Sequence, residues 1–552
     1  MTTAQAELAH AHILVDAFEQ AMEHALAQAR QRTRQGRDID TAQVHCERLA
    51  YRATELRAAQ DLLQYAELQP PQQGDLIAVR MALAFTAGII QTFAAEADAH
   101  IDEYGFDEEY LVKTVGAPGV RAAVRAGAAE SLLREIGRVV LETNGINTIS
   151  LGDDMAVMAR QSVRDFTCQE IEPLAEWIHR NDALVPDDLI SKMGELGFFA
   201  MSIPEAYGGT GMGLLVMIIT TEELSRGSLG AAGSLITRPE IVARALLDGG
   251  TEAQKQRWLP HIASGELMVA VSVTETDIGS DVASLACRAE AGELDGQAGY
   301  FIQGAKAWCT FAGRSDIIGL LARTDSAPGQ GARGLSLFIV EKERCYGHEF
   351  LIEQPHGGSM RGKTDATLGY RGMHSFSINY DNFFVPAENL IGEETGRNRG
   401  FYLQMGGFAN GRLQTGGRAV GLAQAALEKT VAYAKNRRQF GRPISEYQLT
   451  QHKIGLMATH LAAARHLTYG AARRMEHQQD KGLDAAMSKL LASDVALWLT
   501  QEGQLLHGGW GYAEETPISR YVVDALVLPI FEGVKPVLEL KVIARNLLQP
   551  VA

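Results

Sequence analysis

Apolar residues along the first 150 positions recur at the three-and-four spacing of α-helices. Leu14, Phe18, Met22 and Ala25 stand at i, i+4, i+8 and i+11, on one helical face. Two breakers interrupt this block, Gln69-Pro70-Pro71-Gln72-Gln73-Gly74 and Gly116-Ala117-Pro118-Gly119, with the mostly apolar stretch 76–93 between them. After Asn144-Gly145 a new helical pattern runs through 163–180 (VRDFTCQEIEPLAEWIHR), is cut by the loop 204–213 (PEAYGGTGMG), and continues to about residue 262. From 269 the texture changes. The short runs VAVSVTET, YFIQG, DIIGLLART and LSLFIV are rich in β-branched and apolar residues and spaced by Gly, Asp and Ser, which predicts antiparallel strands of a small barrel or sandwich. The strand pattern closes near 376–392, and helices resume, with Ile454, Met457, Leu461 and Ala464 at bundle spacing. The expected fold is therefore α+β: helices, a β region, then helices, with a further helical block in front. That front block is expected to pack against the C-terminal bundle, and ATELRAA (53–59) faintly echoes ATHLAAA (458–464).

Composition narrows the class. At 552 residues the chain suits three or four folding units of about 150 residues each. Lys+Arg number 51 against Asp+Glu 67, a net charge of −16, which argues against nucleic-acid or anionic-membrane binding but leaves room for a local basic groove. The five cysteines (Cys46, Cys168, Cys287, Cys309, Cys345) are scattered and form no CxxC, so neither structural zinc nor a disulfide framework is expected, and no metal ligands are assigned. The N-terminus lacks the layout of a signal peptide, and no uncharged apolar run reaches about 18 residues. A cytoplasmic, multi-domain protein is the expectation.

Several motifs bear on chemistry. Gly357-Gly358-Ser359-Met360-Arg361-Gly362-Lys363-Thr364 matches the P-loop pattern letter for letter, but no strand directly precedes it and Gly369 and Gly372 break the stretch after it; a flexible loop is the expectation. Gly209-x-Gly211-x-Gly213 lacks a preceding strand and reads as a loop leading into a helix. Thr274-Glu275-Thr276-Asp277-Ile278-Gly279-Ser280-Asp281 comes after a strand-like run and offers hydroxyls and backbone amides to a phosphate or flat ring; alone it is an ordinary polar turn. Trp308-Cys309-Thr310 supplies an aromatic face and a hydroxyl, although a buried tryptophan is usually core. Arg437, Arg438 and Arg442 beside a turn are either a solvated helix end or a pyrophosphate clamp. Near the end, His507-Gly508-Gly509-Trp510-Gly511-Tyr512 precedes Leu526-Val527-Leu528-Pro529-Ile530-Phe531-Glu532-Gly533. A lone carboxylate after so apolar a run is a candidate general base if burial desolvates it, and a solvent-pointing or capping residue if not.

The joint order of these pieces, IPEAYGGTGMG, VAVSVTETDIGSD, YFIQGAKAWCTFAG, GRAVGLAQAALEKTVAYAKNRRQFGRPI, LLHGGWGY and FEG, resembles the acyl-CoA dehydrogenase family over roughly residues 151–552. The resemblance implies an N-terminal helical domain (151–268), a middle β domain (269–392) and a C-terminal helical domain (393–552), with FAD as cofactor. Residues 1–150 have no counterpart in ordinary members, and the (2S)-methylsuccinyl-CoA dehydrogenase branch carries such an extension. Carried over by motif, Val273 and Thr274 face the flavin, Ser280 lies beside pyrophosphate or CoA, Trp308 flanks the isoalloxazine and Thr310 sits near its N5. Arg437, Gln448 and Gly508-Gly509 hold the FAD of a partner subunit, while Gly533 and Val534 contact the flavin. Ser280, Phe408 and Arg412 bind substrate, and Glu532 is the catalytic base. The implied reaction is α,β-dehydrogenation of an acyl-CoA thioester, the base removing the α-proton while hydride passes to FAD. An electron-transfer flavoprotein is the implied acceptor, and a homodimer or dimer of dimers the implied assembly.

The sequence departs from the family pattern at Glu275-Thr276 (usually Glu-Pro), Met373-His374-Ser375 (usually Ser-Asp-Thr), Leu505 (usually Gln) and Val534-Lys535 (usually Thr-Ser). Gly411, before Arg412, stands where one branch carries its base, leaving Glu532 as the candidate. A methylsuccinyl group would bring a second carboxylate. Arg238 is the proposed partner for it, the alternative being a surface arginine paired with Glu240 or Glu223. Competing functions are an acyl-CoA dehydrogenase or oxidase of other specificity, and a flavin-bearing, DNA-binding member without dehydrogenase activity.

Overall fold

The computed structural model describes residues 3–68, 76–146, 151, 153–477 and 482–549. The expected breaker at 69–74 lies outside them. In chain order the main helices before the sheet are α1 (Thr3–Arg32), α2 (Gln43–Glu67), α3 (Ile77–Ala99), α4 (Pro118–Gly127), α5 (Glu130–Glu142), α6 (Asp154–Phe166), α7 (Gly213–Gly227), α8 (Thr237–Gly249) and α9 (Glu252–Ser264). Eight strands come next: β1 (Val269–Ser272), β2 (Arg288–Leu294), β3 (Gln297–Thr310), β4 (Ile317–Arg323), β5 (Leu335–Glu341), β6 (Glu349–Glu353), β7 (Ser359–Thr364) and β8 (Ser375–Pro386). Helix α10 (Gly400–Asn436), a small hairpin β9 (Arg438–Gln439) and β10 (Arg442–Pro443), α11 (Gln448–Glu476), α12 (Leu483–His507) and α13 (Pro517–Ala525) complete the set. The chain divides into two units, Met1–Val157 with Thr415–Ala552, and Met158–Gln414.

In the first unit the front helices and the C-terminal helices form one body. The predicted face of α1 is buried throughout: Leu14, Phe18 and Ala25 have no exposed surface and Met22 has 1%. Phe18 packs on Phe93 of α3 with ring centroids 4.9 Å apart. Helix α3 is long and apolar enough to cross a membrane by length and composition alone, but 61% of its most apolar stretch is buried inside the protein, as in a core helix. Helix α5 is amphipathic and buries Leu132, Leu133, Ile136, Val140 and Leu141. It crosses α11 at two glycines: a Cβ on Gly137 would sit 1.8 Å from the Gln451 carbonyl oxygen, and one on Gly455 2.0 Å from that of Leu133. The backbones are in contact there, and only a residue without a side chain fits. Polar links cross the same boundary. Arg474 of α11 forks onto Asp61 of α2 with bonds of 2.7 and 2.8 Å, a bidentate pair. The expected docking of the front block on the C-terminal helices is thus observed, and Ile454, Met457, Leu461 and Ala464 are all buried.

The second unit is built on the sheet, ordered β1-β4-β2-β3-β8-β7-β6, with β5 paired to β4. Most pairs are antiparallel as expected, but β1 runs parallel to β4 from Val269↔Ile317 to Ser272↔Leu320. The reason is a crossover: the β2–β3 hairpin intervenes in sequence and β4 returns beside β1. The continuous apolar runs of β4 and β5 reflect burial on both faces. Ile317, Leu321, Leu335, Leu337 and Ile339 join a core with α8 and α9, while Ile318, Leu320, Phe338 and Val340 face a second core with Tyr300 and Phe376. The P-loop-like segment is not the flexible loop anticipated. Gln354 and Gly358 close a turn (Gln354 N–H to Gly358 O, 2.7 Å), Ser359–Thr364 is strand β7 between β6 and β8, and Lys363 pairs with Glu349 at 2.8 Å. The strand was hidden because its outward residues are polar and two of its positions are small.

Candidate active site

In the second unit, β3 carries the aromatic face. Its pairing with β8 is irregular between Lys306 and Cys309. Trp308 sits in that irregularity with φ of 60°, so the pleat is broken and its indole turns outward, 58% exposed. The alternative of a core tryptophan is thereby set aside, and the indole face is open. Cys309 is fully buried and Thr310 is 8% exposed, its hydroxyl 3.0 Å from that of Ser375. Across from β3 lies the turn after β1. Thr274 is half-buried, its carbonyl accepting from the Ala307 amide at 2.8 Å, and Ser280 is exposed.

Two residues not singled out as functional hold this turn. Lys306, 1% exposed, donates to the Val273 carbonyl at 2.9 Å and to Glu275 Oε1 at 3.0 Å. Glu275 also accepts from the amides of Ala286 and Cys287, each at 2.8 Å. Burial works to raise the Glu275 pKa, but the Lys306 charge and the two amides outweigh it and leave it below the ordinary carboxylate value. The family's Glu-Pro is Glu-Thr here, yet the glutamate keeps a structural task. A lysine between Ala305 and Ala307, in a mostly apolar strand sequence, was the available signal.

Arg238, at the start of α8, is 6% exposed. It donates to the Ser234 carbonyl at 3.2 Å and to the Tyr370 hydroxyl at 2.9 Å. The surface alternative is overturned: Glu223 is engaged by Arg160, Arg164 and Arg226, and Glu240 by Asn410 at 2.8 Å. No carboxylate pairs with Arg238 among the described residues. Phe408 packs half-buried on the core shared by α8 and α9, and Arg412 is half-buried.

Glu240 has a distinct environment. Desolvation raises its carboxyl to about 7, against the Asn410 hydrogen bond and the Arg244 charge. A raised folded-state pKa contributes stability that is complete below the unfolded value and is lost as pH rises through about 7. Glu240→Gln, which cannot ionise, is therefore expected to gain several degrees in melting temperature relative to the parent between about pH 5 and about pH 8. Equal differences at both pH values, read by differential scanning fluorimetry, would contradict this.

In the first unit, Glu532 lies in the turn after α13. Contrary to the expected burial, the residue is half-buried, because the preceding apolar run is itself a turn with Ile530 60% exposed and only Leu528 sealed. One carboxylate oxygen, Oε2, is nevertheless buried and has no hydrogen-bond partner among the described residues. Its backbone is strained: φ is 55° at Glu532 and 101° at Gly533. For glutamate the left-handed region is uncommon and tends to persist where the surroundings impose it, often at functional sites. The Glu532 amide makes no hydrogen bond among the described residues. Val534 is half-buried. Arg437 is exposed at the end of α10, Arg442 lies 4.1 Å over the Tyr447 ring, and Gln448 is exposed at the first turn of α11. Gly508 (φ 61°) and Gly509 end α12 in the open, with nothing within 4 Å of a Cβ on either. Leu505 is 69% exposed, and Gln504 instead donates to the Gly511 carbonyl at 3.1 Å.

The acyl-CoA dehydrogenase N-terminal, middle and C-terminal domain families match residues 153–266, 270–383 and 398–548. The chain belongs to the acyl-CoA dehydrogenase family. It is similar to a (2S)-methylsuccinyl-CoA dehydrogenase of Cereibacter sphaeroides, 39% identical over 439 residues, 79% of this chain and 78% of that protein. Butyryl-CoA dehydrogenase from Megasphaera elsdenii superposes with a TM-score of 0.65 at 29% identity, covering 73% of this chain and 100% of the other. A Mycobacterium smegmatis glutaryl-CoA dehydrogenase in complex with FADH2 superposes with a TM-score of 0.62 at 25% identity, covering 72% of this chain and 95% of that one. As a member of the family the protein is an FAD-dependent oxidoreductase that dehydrogenates acyl-CoA. The residues fit the cofactor: an outward-turned indole beside Thr310 suits a flat ring, and the open glycine turn with exposed arginines suits a diphosphate. Asp182, His348 and His374 bring ligand atoms within 4.8 Å of one another. Asp182 is already answered by His374 at 3.2 Å and Arg371 at 3.8 Å.

Proposed function

We propose that the enzyme oxidises a branched dicarboxylic thioester, (2S)-methylsuccinyl-CoA, to the α,β-unsaturated mesaconyl-CoA. The observation that carries this reading is Arg238, a buried guanidinium with no carboxylate of its own among the described residues. A buried cation is costly unless paired, and a fork held by one carbonyl and one phenol retains donors for a carboxylate on the substrate. The 39% identity to a methylsuccinyl-CoA dehydrogenase supports the same substrate.

Glu532 takes the α-proton. An α C–H beside a thioester is a weak acid, so the base needs a carboxylate oxygen whose lone pairs are not already spent, and Oε2 meets that need. The uncommitted Glu532 amide is suited to hydrogen-bond the thioester oxygen as negative charge develops there. When bound, FAD supplies the two-electron acceptor for the departing hydride. Val273, Thr274, Trp308 and Thr310 would hold the flavin, with Gly533 and Val534. Ser280, Phe408 and Arg412 would bind substrate, and Arg437, Gln448, Gly508 and Gly509 the diphosphate and adenine of a neighbouring copy. That sharing implies a homo-oligomer, and an electron-transfer flavoprotein and a cytoplasmic location complete the reading. The four-part division at 150, 268 and 392 belongs to the same proposal.

Anaerobic flavin bleaching tests it. (2S)-Methylsuccinyl-CoA is expected to bleach the bound flavin at least about tenfold faster than butyryl-CoA or isobutyryl-CoA, a difference of about 1.4 kcal/mol. Faster bleaching by a monocarboxylic thioester would overturn the substrate assignment.

A further inference from the structure

Butyryl-CoA dehydrogenase aligns over its whole length with only 73% of this chain, so the front helices are an addition whose effect on the chemistry must be read from their contacts. One contact runs toward Glu532. Tyr51 of α2 donates its hydroxyl to Asp494 Oδ2 of α12 at 3.0 Å. The same oxygen accepts from Lys535 Nζ at 2.6 Å, and the Lys535 ammonium lies 5.0 Å from the Tyr51 ring centroid. Lys535 closes the 531–535 loop by donating its amide to the Pro529 carbonyl at 2.9 Å.

That loop is gripped at two further points. Lys489 of α12, 1% exposed, donates to the Gly533 carbonyl at 2.5 Å. The guanidinium of Arg418, itself fully buried, lies 4.5 Å over the Phe531 ring. Glu532 and Gly533 stand consecutively at positive φ, a backbone that local preference does not choose for glutamate and that outside contacts must impose. Residues on both sides of Glu532 are clamped by cations, and the clamp on its C-terminal side is completed by a residue of the added segment.

We propose that Tyr51 is a positioning residue of the dehydrogenation. Through Asp494 and Lys535 it holds the 531–535 loop in the strained conformation that aims the Glu532 carboxylate, which makes the front block part of the catalytic apparatus. This rests on the reading of Glu532 as the base. The departure from the family's Thr-Ser after the Glu-Gly then has a cause: Lys535 replaces a hydroxyl with a cation that Asp494 and Tyr51 can hold.

The test uses the full-length, FAD-loaded enzyme. Tyr51→Phe removes only the hydroxyl, Tyr51→Leu also removes the ring beside Lys535, and Lys535→Met removes the cation. The phenylalanine variant is expected to keep its FAD content and melting temperature and the KM for thioester, while kcat falls about threefold to tenfold, and the other two are expected to lose about tenfold to a hundredfold. A misaimed base slows proton removal specifically, so the kinetic isotope effect with α-deuterated substrate is expected to rise in the same order. A merely structural role would lower the active fraction and leave the isotope effect unchanged. Tyr51→Leu and Lys535→Met enzymes within about twofold of the parent in kcat, with an unchanged isotope effect, would overturn the proposal. If Tyr51→Leu fails to fold, Tyr51→Phe decides by the same isotope effect. Glu532→Gln run alongside separates the two readings. If it stays active, the base assignment and the positioning role both fall; if it is dead while the Tyr51 variants are unaffected, only the positioning role does.

Discussion

Glu532→Gln is expected to abolish turnover while leaving a yellow, folded protein. The amide has the volume of the carboxylate and leaves the 531–535 backbone unchanged, but it cannot accept the α-proton. The loss expected for a general base is roughly two to four orders of magnitude in kcat. FAD content and melting temperature should stay close to the parent's. Glu532→Gly provides an independent control, because glycine adopts φ of 55° without strain. That variant should be as inactive as the glutamine one and no less stable, which separates loss of the carboxylate from loss of the fold. The measurement is anaerobic reduction of the bound flavin by substrate in a stopped-flow instrument. A Glu532→Gln enzyme reduced at even a tenth of the parent rate would place the base elsewhere.

Arg238→Met is expected to redirect the enzyme rather than inactivate it. Methionine fills the buried space of the arginine stem without its charge. A dicarboxylic thioester would then leave its second carboxylate unpaired in a buried site. Truncating one member of a buried hydrogen-bonded charge pair costs about 2–5 kcal/mol, so kcat/KM for (2S)-methylsuccinyl-CoA should fall by roughly thirtyfold to several thousandfold. A branched monocarboxylic thioester has no such charge and should be used as well as before, or better. Tyr370→Phe, which removes only the hydroxyl that Arg238 meets at 2.9 Å, should give a smaller loss in the same direction. Equal losses on both substrate classes would show that Arg238 supports α8 and does not read the substrate.

What the sequence revealed was local and periodic. The buried face of α1 came from a spacing of three and four, and strands β4 and β5 from their short apolar runs, whose burial on both faces the structure then showed. The loop before α7 came from its glycines and proline. Where the local signal was weak or misleading, the structure departs from it for identifiable reasons. Strand β2 has one buried residue among seven, so it shows no alternation, although Asp295-Gly296, both at positive φ, is a hairpin signal that was there to be used. The Gly357–Thr364 letters fit a phosphate loop, but strand pairing claimed them. The letters around Trp308 allowed either a core residue or an exposed aromatic face, and a pleat irregularity that no spacing rule reveals turned it outward.

The candidate site divides along the same line. Residue identity and order sufficed to assemble six motifs that together resemble one family, and it is that resemblance, more than the chemistry of any one side chain, that put Glu532 forward as the candidate base. Folding alone decided how each is held. Arg238 lost the partners the sequence suggested because Arg160, Arg164 and Arg226 reach Glu223 first. Lys306 reaches Glu275 across 31 positions, and Tyr51 reaches Asp494 across 443. Periodicity along a chain records which face of an element avoids water. Which distant side chains then meet, and whether a buried charge finds an answer, depends on how several elements pack at once, and no single stretch of sequence contains that.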